Sequence, residues 1–186
     1  MVQGRGVYFW RLVLCGVTSV AFGCGGTKEE DSASSPSSSS FENLMLSELN
    51  QVRASVQRPA NYVGIWSPLP ELTWSIALAS SAQIWANTLR DQYDCQIARN
   101  NSTPYGETLA YGSVGYGVSE AVAQWAEDQS NYSFNTSYQG EAGTYLQIVW
   151  RASTLVGCAT TACETGWHVF VCYFDPPGNV IGSQPY

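Results

Sequence analysis

His168 is the sole histidine of the chain, so any catalytic device with an imidazole base depends on it. It stands in the run Trp167–Phe174, whose β-branched and aromatic residues predict a core strand. Neither neighbour of His168 is a nucleophile. The pattern is typical of a packed or edge-exposed strand residue rather than of a general base.

Cysteine is the other residue type that carries chemistry here. Cys15 and Cys24 lie in the N-terminal region, and the remaining four are Cys95, Cys158, Cys163 and Cys172. An even set in an exported protein predicts two disulfides, and the segment from Cys158 to Cys172 is short enough for a disulfide-closed hairpin. A zinc site built from these four thiols is the alternative, although structural zinc usually uses more closely spaced cysteine pairs.

The N-terminal region has the pattern of an export signal. Arg5 and Arg11 precede the apolar run 12–22, which is shorter than the roughly 20 residues that span a bilayer. We therefore predict a signal peptide over residues 1–23. The ending Ala-Phe-Gly-Cys resembles a bacterial lipoprotein signal, which predicts lipidation of Cys24; ordinary secretion and an uncleaved anchor are the alternatives. Residues 24–40 are serine-rich and are expected to form a disordered tether.

The remaining residues, 41–186, are predicted to form one domain with a sizeable core. The formal net charge of the chain is −7, and these residues contain no basic run. Nucleic acids and anionic membrane surfaces are therefore poor partners. We expect any membrane attachment to depend on the lipid alone.

Helices come first in this domain and strands mainly last, which indicates an α+β fold. Apolar residues three or four apart predict a helix that begins near Phe41 and ends before Pro59. Further helices are expected over about 75–90 and 119–129, with a short turn or helix at 145–150. Strands are expected at 155–159 and 167–174.

Four segments together make the chain resemble the CAP superfamily, whose domain is also called the SCP or sperm-coating-protein domain. They are Leu46–Arg53, Gly106–Ala110, Gly143–Trp150 and Phe170–Asn179, in the family's order. The cysteine spacing and the C-terminal residues are most similar to the plant pathogenesis-related class one branch. The resemblance implies an α-β-α sandwich with two disulfides, Cys158–Cys172 and Cys95–Cys163.

The resemblance also implies a central cleft with two histidines and two acids. Carried over to this chain, the histidine positions hold Leu49 and Thr144, and the acid positions hold Glu107 and Asp128. We therefore expect no metal and no cofactor. Glu107 and Asp128 remain candidates for a general acid and base of a weak hydrolase, or for a hydrogen-bonded structural pair.

The sequence favours an exported, monomeric CAP domain that acts without catalysis as a binding or interaction module. We expect it to be a lipoprotein at the cell surface or outer membrane, or a secreted protein. A protein, a cell-wall component or a lipid is the expected partner. Carriage of a sterol or fatty acid is the first alternative, because the domain is rich in tryptophan and tyrosine and some family members bind such lipids. Most of these aromatic residues are nevertheless expected in the core.

Overall fold

The computed structural model describes residues 38–60, 62–134 and 143–186. The predicted signal peptide, Cys24 and most of the predicted tether lie outside the described residues. The helices are α1 (Ser38–Ser55), α2 (Ile76–Tyr93), α3 (Val118–Glu127) and α4 (Gly143–Ile148). The strands are β1 (Thr73–Trp74), β2 (Gly106–Gly112), β3 (Leu155–Ala162) and β4 (His168–Asp175). None of the described helices is long and apolar enough to cross a bilayer.

The first two helices lie close to their predicted positions. α1 begins at Ser38, so residues 38–40, which were assigned to the tether, are helical. The side chain of Ser75 caps α2 by accepting a hydrogen bond from Leu78 N at 3.3 Å. Asp94 ends the helix in the left-handed conformation, with φ of 50°.

The strands form one mixed sheet in the order β1-β3-β4-β2. β4 pairs antiparallel with both β3 and β2, whereas the short β1 runs parallel to β3. Val169, Val171 and Tyr173 of β4 pack on the side of α2, and the alternate residues pack on the side of α1, α3 and α4. The sheet therefore separates two apolar cores, and the predicted α-β-α sandwich is confirmed.

Two disulfides fasten the sheet. Cys158 and Cys172 are directly opposite each other on β3 and β4, with their Cα atoms 4.1 Å apart. Cys95, just after α2, pairs with Cys163 at the end of β3. This is the pairing that the resemblance implies, and it leaves none of these four thiols to bind zinc.

Candidate functional site: a polar cleft at the start of β2

A polar cavity of about 270 Å³ opens where the start of β2 meets α4 and the loops that follow α2 and β4. These residues come from three separate parts of the sequence, and the fold brings them together. The cavity is lined by Arg99, Asn100, Asn101, Thr103, Tyr105, Gly106, Glu107, Gln147, Pro177, Gly178 and Asn179. Four of these residues carry amide side chains, which can both donate and accept hydrogen bonds.

Glu107 is the acid of this cleft. It lies on β2 opposite Tyr173, and only 7% of it is exposed. Its Oε1 accepts a hydrogen bond from Asn100 N at 3.2 Å. Burial raises the pKa of the Glu107 carboxyl, and the Asn100 N–H and the positive charge of Arg99 partly oppose this effect. The carboxyl is thus easier to protonate than an exposed glutamate.

Asn100 links Glu107 to Tyr173, a core residue beside the cleft. Its Nδ2 donates to the hydroxyl of Tyr173 at 2.9 Å, and its Oδ1 accepts from Ser102 N at 3.1 Å. Burial, with a smaller contribution from the Glu107 charge, raises the pKa of Tyr173 to about 12, although the hydrogen bond from Asn100 acts in the other direction. Tyr173 therefore stays neutral at physiological pH.

Gln147 of α4 forms a second fixed wall. It is buried, its Oε1 accepts from Gly178 N at 2.9 Å, and its Nε2 donates to Ser153 Oγ at 3.2 Å. Gly106 has no space for a larger residue, because an added Cβ would lie 2.0 Å from Gln147 Oε1. The glycine before Glu107 thus allows Gln147 to reach the cleft.

Asn179 carries an unused hydrogen-bonding group. Its Nδ2 donates to Gly143 O at 2.8 Å, whereas its Oδ1 is buried and has no partner among the described residues. Buried polar atoms usually have a partner, which can be protein, water or a ligand. The φ of Asn179 is 59°, a left-handed conformation that asparagine tolerates better than most residues.

Asp128 and Thr144 form a pair of their own. The hydroxyl of Thr144, at the start of α4, donates a short hydrogen bond to a carboxylate oxygen of Asp128, just after α3. Thr144 also donates to Trp125 O at 3.4 Å. The structure therefore brings these two predicted cleft residues together, but neither is among the residues that line the cavity with Glu107.

Leu49, at a histidine position of the family, does not line this cavity. Leu49 lies on the face of α1 that packs into the core, and none of its surface is exposed. A leucine four residues after Met45, which is also fully buried, belongs to the apolar stripe of an amphipathic helix.

His168 lies far from Glu107. Along β2, Glu107 is opposite Tyr173 and Gly112 is opposite His168. Five residues of strand at about 3.3 Å each place the two positions roughly 17 Å apart. The histidine therefore cannot serve as a base or metal ligand beside this carboxylate.

The residues of the cleft do not fit a bound zinc ion. Within the described ranges, no three His, Cys, Asp or Glu side chains gather as possible ligands. Glu107 lies near the Arg99 cation, and Asp128 is hydrogen-bonded to Thr144. Zinc usually takes four N, S or O ligands in tetrahedral geometry, which this set does not supply.

Both the fold and the sequence identify the class of the protein. The chain belongs to the CAP family, the cysteine-rich secretory protein family, whose model matches residues 46–174. Its curated relatives place it in the pathogenesis-related protein 1 branch. It is 38% identical over 154 residues to pathogenesis-related protein PR-1 of Medicago truncatula, covering 80% of this chain and 81% of that protein.

The chain is also similar to a second curated relative and to a solved structure. Pathogenesis-related protein 1C of Nicotiana tabacum is 41% identical over 119 residues, covering 62% of this chain and 69% of the relative. The crystal structure of NaASP2 with Zn2+ superposes with a TM-score of 0.63 at 20% identity, covering 78% of this chain and 84% of that one. The latter match shows the fold alone.

Proposed function

We propose that the chain is an exported, lipid-anchored CAP domain that binds a polar ligand at the cell surface without catalysing its conversion. The ligand class that best suits the cleft is a cell-wall glycan. The orphaned Oδ1 of Asn179 carries this proposal, because a hydroxyl or acetamido N–H of a sugar would satisfy it. Tyr105 adds an aromatic ring to the same lining.

The separation of the two acids supports a role without catalysis. A glycoside hydrolase needs two carboxyl groups on either side of one bond. Here Glu107 lines the cleft, whereas Asp128 is bonded to Thr144 and is not part of the lining. The hydrolase alternative therefore has the weaker support.

Carriage of a sterol or fatty acid is the second candidate. It is favoured by an apolar cavity of about 600 Å³ between the start of α1, α2 and the β3 edge. Phe41, Trp74 and Ile76 contribute to its walls. A lipid ligand would bind there and leave the polar cleft free.

Direct binding to a panel of probes tests the proposal. An N-acetylglucosamine oligomer, cholesterol and palmitate would each be titrated into the purified chain with its disulfides intact. We expect saturable binding of the oligomer and at least tenfold weaker binding by Asn179→Gly, which removes the orphaned acceptor but tolerates the positive φ. Asn87→Ala, on α2, is the matched control and should bind as the parent does.

The outcomes separate the candidates. Binding of cholesterol or palmitate without binding of the oligomer would favour the lipid carrier. Release of new reducing ends from the oligomer, abolished by Glu107→Gln, would favour the hydrolase.

A further inference from the structure

The loop between α1 and β1 carries an exposed apolar tip, formed by residues 62–66. Val63 is 95% exposed and Ile65 is 96% exposed. Single exposed apolar residues are ordinary, but two nearly fully exposed aliphatic side chains within three residues form a concentrated apolar point. Gly64 lies between them with φ of 117°, a conformation that side-chain-bearing residues rarely adopt. The shape of the tip therefore depends on this glycine.

Two aromatic residues flank the tip. The rings of Tyr62 and Trp66 meet edge to face, with their centroids 5.2 Å apart. Trp66 is half-buried against the core, so the pair is fixed to the body of the domain. Tyrosine and tryptophan concentrate at membrane–water interfaces, because each combines an apolar ring with a polar group. Aliphatic residues at the tip with amphipathic rings at its base match the change from the acyl region to the headgroups of a bilayer.

Two arginines lie at the same base. Arg58 donates from Nη2 to Tyr62 O at 3.2 Å. The guanidinium of Arg151 lies 5.5 Å from the centroid of the Trp66 ring and donates to Ser67 O at 2.8 Å. The only ion pair among the described residues joins Arg90 to Asp91, so neither arginine is neutralised by a described carboxylate. Arg151 also donates from Nη1 to Ser67 Oγ and Pro68 O, but the positive charges of both arginines remain at the base of the tip and attract phosphate oxygens.

We propose that residues 62–66 insert into the interfacial region of a phospholipid bilayer. Val63 and Ile65 enter the acyl boundary, the rings of Tyr62 and Trp66 lie among the headgroups, and the arginines contact lipid phosphates. The net charge of −7 opposes binding to anionic surfaces, so the bilayer that fits is a zwitterionic one. This contact is independent of any acyl chain on Cys24 and of any ligand in the cleft. It differs from the expectation that a lipid anchor is the only membrane attachment.

A bilayer suits the tip better than a protein partner does. A protein interface usually requires a broad, shape-complementary patch. The tip instead offers two aliphatic side chains above an aromatic and cationic base, and this arrangement needs no matching shape.

Vesicle sedimentation tests the proposal. Residues 34–186 form a compact unit that contains both disulfides and omits Cys24, so no acyl chain contributes to its binding. We expect this unit to sediment with phosphatidylcholine vesicles and the double variant Val63→Ser/Ile65→Ser to bind at least tenfold more weakly. The matched control is Ile84→Ser/Val114→Ser, at two aliphatic residues away from the tip that are 70% and 78% exposed. The control should bind within about twofold of the parent.

Three results would overturn the proposal. The parent could remain in the supernatant, the Ile84/Val114 control could lose as much binding as the tip variant, or binding could require phosphatidylserine and vanish in high salt. If the parent does not bind vesicles but forms a dimer, and the tip substitutions prevent dimer formation, the tip is a protein contact instead. Because the tip side chains are nearly fully exposed, circular dichroism should show that both double variants remain folded.

Discussion

Replacing Arg53 with methionine tests how the wall of the cleft is held in place. Arg53 is 1% exposed, and its guanidinium donates to four backbone carbonyls. These are Pro70 O at 2.8 Å from Nε, Ile148 O at 2.7 Å and Trp150 O at 2.9 Å from Nη1, and Ser153 O at 3.3 Å from Nη2. The side chain thus fastens the end of α4, the helix that carries Gln147.

Burial, together with the positive charge of Arg151, lowers the pKa of Arg53 from 12.5 to about 10, so the side chain remains protonated at pH 7. The lowered pKa means that the fold disfavours the charged form, and this cost offsets part of what the hydrogen bonds of the guanidinium contribute. Hydrogen bonds from a charged donor contribute about 1.5 kcal/mol or more each, hence roughly 6 kcal/mol for four. Because Arg53→Met leaves four carbonyls without this donor, we expect it to lower the free energy of unfolding by about 3 kcal/mol.

Urea denaturation of Arg53→Met and the parent at pH 7 would measure this change, with Arg58→Met on the exposed surface as the matched control. In thermal unfolding, a loss of this size predicts that the melting temperature of Arg53→Met falls by about 6–12 °C. The control should stay within about 0.5 kcal/mol of the parent. If Arg53→Met were as stable as the parent, the carbonyls would not need the guanidinium, and the reasoning would be refuted.

Three further predictions concern stability. Because burial raises the pKa of Glu107, the folded chain binds more protons than the unfolded chain above about pH 4.5. Urea titrations should show the parent losing stability relative to Glu107→Gln between pH 4 and 7, and a relative gain would contradict this. Removing the Cys95–Cys163 disulfide, with partners 68 residues apart, should cost about 4 kcal/mol in thermal or urea unfolding; a loss below 1 kcal/mol would count against the loop-entropy argument. Gly157→Ala would place a Cβ 2.2 Å from a backbone nitrogen of α2. Calorimetry should therefore show that the free energy of unfolding falls by about 1–3 kcal/mol. An unchanged melting temperature would disprove this close packing.

The sequence predicted the fold well, because the fold depends on extended signals. The run 167–174 alternates between two apolar cores, and the strand predicted there is β4, at His168–Asp175. No strand was predicted at Gly106–Ala110, where β2 lies. Its seven residues become a strand because they pair with β4 along their whole length.

The cleft could be predicted only in part. Glu107 was identified by its motif, but Asn100, Gln147 and Asn179 were missed because asparagine and glutamine are common in turns and on surfaces. Their roles depend on contacts between distant segments, such as Gly178 N with Gln147 Oε1. Leu49 was assigned to a histidine position of the family, and its helical spacing indicated the core position in which it lies.

Amide chemical shifts recorded during titration with an N-acetylglucosamine oligomer would test the proposed function most directly. The same spectra report whether the oligomer remains intact, through its anomeric protons. The proposal predicts saturable shifts at cleft amides such as those of Glu107 and Gly178, with no new reducing-end signals. Shifts confined to other surfaces, no shifts at all, or the appearance of cleavage products would contradict a glycan-binding cleft without catalytic activity.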